Sequence, residues 1–237
     1  MVQRLVLLGF AVVLLCSVAP HSPRMPTPRF VLWAWERPED LSFVDPSNTG
    51  VAYLAATVTL LADGQAAVHG RHQPLFVPPR TSQTAVIRIE SPERYLSPNP
   101  RELALILARI AVDQHAAAIQ IDFDARASER SFYKSLLGEL RQSTRLPLGI
   151  TALASWCNAD GWLDSLPISE AVPMFFRMGR NEYRSMRVAA PVCRTSVGLS
   201  TDELWPAPRS ARTYIFNPHS WTRADYEQVR ARSEEWK

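Results

Sequence analysis

Eight short apolar runs, each set off by helical or turn-forming sequence, constrain this chain more than any other feature. They are Phe30–Glu36, Val51–Leu61, Thr84–Ile89, Ala117–Phe123, Leu148–Ser155, Ala171–Phe176, Ser196–Leu199 and Tyr214–Phe216. Short runs of this kind, bounded by turn signals, read as strands. Strands that alternate with helices bury their apolar faces as a mostly parallel sheet. Eight units predict closure into a (β/α)8 barrel of the TIM type, an α/β fold, with an open doubly wound sheet as the runner-up. Only 208 residues follow Arg29, the low end for such barrels, so some connecting helices must be short.

Three helices are marked in detail. Asn99, Pro100 and Glu102 supply an N-cap, an N1 proline and a capping-box acceptor, and Leu103, Ile106, Leu107 and Ile110 then fall along one face. Phe132, Leu136, Leu137 and Leu140 repeat the same spacing in a second helix. A third begins at Thr222, with Asp225 at the capping-box position, and closes the chain near Lys237. Ala66–Pro79, between the second and third strands, reads as an inserted loop or hairpin.

Ahead of the barrel, Met1–Ala19 has one cation, Arg4, then a run from Leu5 to Leu15 that is apolar except for Gly9. That is a charged n-region and an h-region of secretory length, shorter than the roughly 20 residues a spanning helix needs. Export to the periplasm or the exterior is the expectation. Residues 1–19 act as a cleaved signal peptide or as an uncleaved anchor that tethers the protein to the membrane, because Pro20 directly follows the small-x-small site Ser17-Val18-Ala19. Residues 20–29 form a Pro-rich linker, and 30–237 a single barrel domain. The formal charge of +3 falls to +2 without the leading segment, and no run of five like charges occurs. A nucleic-acid partner is not expected, since such proteins carry a clustered basic face. Cys157 and Cys193 remain in the mature part; a bridge or two buried thiols are both open to them.

The chemistry concentrates at Ile119-Gln120-Ile121-Asp122-Phe123-Asp124. Strand alternation puts Ile119, Ile121 and Phe123 on one face and Gln120, Asp122 and Asp124 on the other. In a barrel the second set points inward, where aliphatics normally pack, so it demands a hydrogen-bond network or a ligand. Cα atoms of Asp122 and Asp124 lie about 6.6 Å apart on one face, close enough for one carboxyl to be pushed toward its protonated form. A structural alternative stands beside this: Asp122 as a buried network member and Asp124 as a helix cap. Other strand ends supply neighbours: Glu36 as a second carboxylate, Trp35 and Trp156 as stacking surfaces for a sugar or planar ring, Arg177 as an anion grip or a salt bridge, and Asn217. The chain has no Gly-x-Gly-x-x-Gly, Walker-type or Gly-x-Ser-x-Gly motif, and His69 and His72 have no partner at metal-ligand spacing. No cofactor and no metal is expected.

The strings WAWE at Trp33–Glu36, QIDFDA at Gln120–Ala125, ITALASWC at Ile150–Cys157 and AVPMFFRMG at Ala171–Gly179 resemble the bacterial domain-of-unknown-function family numbered 3142, whose activity is not established. More distantly, AAIQIDFD is similar to the fourth-strand motif of chitinase-like family-18 glycosidases, Asp-Gly-x-Asp-x-Asp-x-Glu. In that register Asp122 falls on the third aspartate and Asp124 on the acid glutamate, while Ala117 and Gln120 replace the first two aspartates. The resemblance implies a glycoside hydrolase-like protein acting on an envelope or extracellular polysaccharide. Asp124 would be its general acid, Asp122 the electrostatic partner and Glu36 a further carboxylate, with Trp35, Gln120, Trp156, Arg177 and Asn217 around the sugar. The competing expectation is a non-catalytic barrel of the cell envelope that binds glycan or protein. Fold likeness alone does not choose between them.

Overall fold

The computed structural model describes residues 28–158, 161–178, 188–205 and 212–234. The expected leading segment, residues 1–19, lies outside them.

Eight parallel strands close on themselves: β1 (Phe30–Ala34), β3 (Thr49–Leu60), β6 (Gln83–Glu90), β7 (Ala118–Asp122), β8 (Leu148–Leu153), β9 (Glu170–Met174), β10 (Ser196–Ser200) and β11 (Arg212–Phe216). Each pairs with its successor in that series, and β1 pairs with both β3 and β11, which seals the barrel. All eight strand-like runs of the sequence are barrel strands. Helices α1 (Pro100–Asp113), α2 (Arg130–Ser143) and α3 (Arg223–Glu234) pack outside, and several other described connections are single 3₁₀ turns. That economy fits a TIM-type barrel into so short a chain.

Both N-caps form, although at α1 the Glu102 side chain makes no capping-box bond back to Asn99. Asn99 Oδ1 accepts from the amides of Arg101 and Glu102 at the start of α1. At α3, Thr222 Oγ1 accepts from the Asp225 amide while Asp225 Oδ2 accepts from the Thr222 amide. Phe132, Leu136, Leu137 and Leu140 of α2 are all buried. On α1 the buried set is Leu103, Ala104, Leu107, Ala108 and Ala111, and Ile106 turns outward. Ala104, Ala108 and Ala111 complete the buried stripe, so Ile106 falls on the exposed face.

The insert after β3 folds as a hairpin: β4 (Ala66–Gly70) runs antiparallel to β3, and β5 (Leu75–Phe76) pairs with β2 (Glu39–Asp40).

Period-2 alternation divides the apolar residues into two clusters. Ile119, Ile121 and Phe123 join the large cluster between strands and helices. Val31, Trp33, Ala52, Leu54, Val86, Val172, Tyr214 and Phe216 form a smaller one inside the barrel. Gly198 belongs to this interior, since a Cβ there would sit 2.8 Å from Met174 Sδ and 3.3 Å from the Phe216 ring. Toward the N-terminal ends of the strands the interior is polar: Arg212 Nη1 and Tyr214 Oη both donate to the Glu170 carboxylate, each at 2.8 Å. Cys157 and Cys193 are disulfide-bonded, with Cα atoms 5.9 Å apart, joining the turn after β8 to the turn before β10.

Candidate functional site

At the C-terminal ends of the barrel strands, where barrel active sites form, the interior opens into a cavity of about 720 Å³. Its lining includes Trp35, Phe176 and Phe216 as aromatic walls, Met174 and Leu153 as further apolar surface, and four charged side chains: Arg88, Asp122, Asp124 and Arg177. This size suits a small-molecule or oligomer site, and the mixture of apolar wall with a few convergent polar groups is typical of one.

Asp122 ends β7 and is 7% exposed. Thr151 Oγ1 on β8 donates to its Oδ1 at 2.7 Å, and Arg88 Nη1 on β6 donates to its Oδ2 at 3.2 Å. Burial pushes the Asp122 carboxyl above the usual aspartate value; the Thr151 and Arg88 bonds pull it back, and the Asp124 charge pushes it up again. Asp124 continues the inward face two residues beyond Asp122 and is exposed at the mouth. No described residue donates to its side chain. The two carboxylates thus differ in kind. Asp122 is held by two donors in a dry setting, and Asp124 is open to whatever enters.

Behind Asp124 the chain turns sharply, with the Ala125 amide donating to the Phe123 carbonyl at 2.8 Å. The next residues are clamped. Glu129, 5% exposed, accepts from the Arg126 amide at 2.6 Å and from Arg126 Nη2 at 2.7 Å. Arg126 also reaches the Pro92 carbonyl at 2.8 Å on the preceding strand-to-helix connection. Burial opposes ionisation of Glu129, but hydrogen bonds from Arg126, Ser91 and Tyr95 outweigh it and hold the carboxyl down at about 2. The loop that carries Asp124 is therefore anchored by a charged bond network immediately after it.

Of the residues expected from sequence, Asp122, Asp124, Trp35 and Arg177 meet at the cavity, and four others do not. Glu36 is turned to the hairpin: its Oε1 accepts from the amides of His72 and Gln73 at 2.8 and 3.0 Å, and its Oε2 lies 3.9 Å from Arg71. Asn217 is buried, with Oδ1 accepting from Thr201 Oγ1 at 2.7 Å and Nδ2 directed at Asp225. Both follow an inward residue, Trp35 and Phe216 respectively, so alternation sends them to the opposite face. Trp156 packs edge-on to Trp162 at 5.1 Å in the outer cluster. Counting from the inward Thr151, Leu153 and Ser155 fall on the cavity side and Trp156 on the outer one, and Ser155 lines the cavity instead. Gln120 lies inward as expected but is fully buried below the cavity, between Val86 and Gly149 in register, and neither amide atom has a partner among the described residues.

Arg88 was missed by the sequence reading, although a signal exists. Thr84, Val86 and Arg88 share the inward face of β6, and Arg88 stands in register with Asp122. Arg177, by contrast, should face outward after Phe176. It adopts φ +56°, a left-handed conformation uncommon for a residue with a long side chain, and this takes it out of the strand alternation and onto the cavity rim. Its amide donates to Glu203 Oε1 at 2.7 Å, which fixes the turned backbone.

Among the described residues no group of three His, Cys, Asp or Glu side chains is arranged to hold a metal ion. The chain matches no protein-family model and no curated protein.

Proposed function

We propose that this barrel binds a polysaccharide segment at its mouth and hydrolyses a glycosidic bond there, with Asp124 as general acid and Asp122 as its electrostatic partner. The observation that carries the reading is the carboxylate pair on the fourth barrel strand, one member pinned and one open, inside a cavity walled by Trp35, Phe176 and Phe216. Aromatic faces suit the apolar face of a sugar ring, and an unengaged carboxyl at the strand end can reach a leaving oxygen. Asp122 stays fixed by Thr151 and Arg88, so its charge lies at a constant position beneath the developing positive charge of the sugar. The fourth-strand location also agrees with the similarity to family-18 glycosidases. Export is part of the proposal, supported by the apolar leading segment and by the Cys157–Cys193 bridge, a bond that persists mainly in oxidising compartments. An envelope or extracellular polysaccharide is then the accessible target.

One observation favours a second reading, a glycan-binding barrel without turnover. Asp122 and Asp124 are the only carboxylates among the described residues that line the cavity, and both come from one wall. The deciding experiment is release of reducing ends from a panel of polysaccharides by the protein without Met1–Ala19, beside Asp124→Asn. General-acid removal should lower the rate about 100-fold or more. Release that is equal in parent and variant would remove Asp124 from the role, and no release by either would favour the binding reading.

A further inference from the structure

The charges around the cavity are not equivalent. Arg88 is committed: Nη1 bonds Asp122 at 3.2 Å and Nε bonds Glu90 at 3.1 Å. Asp122 is committed in return to Arg88 and Thr151. Of the four charged side chains that line the cavity, that leaves Asp124 and Arg177 without an ion pair among the described residues, one acidic two residues past the end of β7 and one basic past the end of β9. Arg177 is exposed on the rim, and no carboxylate among the described residues pairs with its guanidinium. The chain maintains an unfavourable backbone conformation at this residue, φ +56°, and holds it with the Glu203 carboxylate on the Arg177 amide. Residues kept in sparsely populated conformations cluster at ligand clamps, because only a compensating contact elsewhere sustains the cost. Here the conformation brings a guanidinium to a cavity wall that strand alternation alone would have left without one.

We infer that the ligand of this cavity is an anionic glycan, a sugar chain bearing carboxylate or sulfate groups, and that Arg177 is the residue that receives the anionic group. The inference rests on the reading of the cavity as a glycan site and names its substrate class. A guanidinium presents a planar fork of N–H donors that matches a carboxylate or sulfate in a bidentate pair, and such charge-assisted bonds discriminate strongly against a neutral hydroxymethyl group. Asp124 disfavours an anion beside itself, so the acidic substituent is oriented toward Arg177 and the glycosidic oxygen toward Asp124. Position in the cavity thereby sets direction as well as class.

The test is affinity electrophoresis of the protein lacking Met1–Ala19 in gels containing a uronate polymer, the same polymer after carboxyl reduction, a sulfated polymer and its desulfated form, at low salt. Retention by the uronate or the sulfated polymer, lost on its neutral counterpart, is expected, and which of the two is retained identifies the anionic group. Arg177→Gln should weaken retention about tenfold or more, as loss of a charge-assisted bond does. Arg177→Lys, which keeps the charge without the fork, should fall between the two. Position 177 is exposed, and an unchanged thermal midpoint would confirm that the variants fold. Equal retention of acidic and neutral polymers, retention unaffected by Arg177→Gln, or no retention of any polymer overturns the inference. Reducing-end release separates the two proposals. Arg177-dependent retention without release would refute hydrolysis and leave the anionic ligand standing, whereas release from neutral polymers with Arg177→Gln fully active would do the reverse.

Discussion

The Glu129→Gln substitution tests the clamp beneath Asp124 and has a magnitude that follows from the structure. Glu129 sits in a nearly closed pocket and accepts two bonds from Arg126, one from the amide and one from the guanidinium. Its carboxyl is held at about 2 against an ordinary value of 4.5, which corresponds to about 3 kcal/mol of stability at neutral pH. The folded value is the lower one, so this contribution is complete above the unfolded value and is lost as pH falls from about 4.5 toward 2. Gln keeps the shape but removes the charge and turns an amide toward Arg126. The variant should therefore be less stable than the parent by about 3 kcal/mol at pH 7 and by only about 1.5 kcal/mol near pH 3. In a domain of this size the neutral-pH loss lowers the thermal midpoint by roughly 6–12 °C. Urea denaturation of both proteins at pH 7, 4 and 3 measures the difference directly, and comparing parent with variant cancels other titrating carboxyls. A loss below 1 kcal/mol at pH 7, or a loss independent of pH, would refute the account of Glu129 as an ionised, bond-saturated anchor.

Other expectations follow from the same geometry. Arg88→Gln leaves the buried Asp122 carboxylate with Thr151 alone; Arg88 is itself about a third exposed, so the loss at pH 7 should be about 1–2 kcal/mol. Burial already raises Asp122 above its unfolded value, so its ionisation opposes folding as pH rises through the folded value, and the Arg88→Gln defect should shrink in urea melts below pH 4. Replacing both Cys157 and Cys193 by Ser opens a loop with a sequence separation of 36 and should cost about 3–4 kcal/mol, seen as a lower urea midpoint that reductant does not shift further. Trp156→Ala should destabilise by about 3–5 kcal/mol, whereas Trp35→Ala, at the cavity wall, should cost less stability and more ligand retention. Gel retention and thermal melts run on both would contradict the assignment if the two tryptophans exchanged these effects.

The two aromatic positions illustrate how far sequence pattern reaches. Trp35 and Trp156 look alike in one dimension, each near the end of a strand-like run beside a polar residue. Trp35 stays in register with Trp33 and enters the cavity. Trp156, within the 3₁₀ turn Ala154–Cys157, is one residue out of step with the inward Thr151, Leu153 and Ser155 and lies in the outer cluster. Glu36 and Asn217 could have been assigned outward by counting from Trp35 and Phe216, and Arg88 inward by counting from Val86, because the period of a strand is fixed by its backbone. Arg177 could not, since its place depends on a left-handed residue stabilised by Glu203, 26 positions away.

By itself the sequence determined the eight barrel strands, the caps of α1 and α3, the buried stripe of α2 and the inward face Gln120-Asp122-Asp124. These depend on local periodicity and on side chains within four residues of one another, which any window of the chain contains. Only the tertiary structure decided that Asp122 is held by Arg88 and Thr151, that Asp124 is left open, that Gln120 is sealed below the cavity and that Cys157 meets Cys193. Those outcomes depend on which strand ends lie side by side once the barrel closes, and closure juxtaposes residues tens of positions apart whose pairing no local pattern encodes.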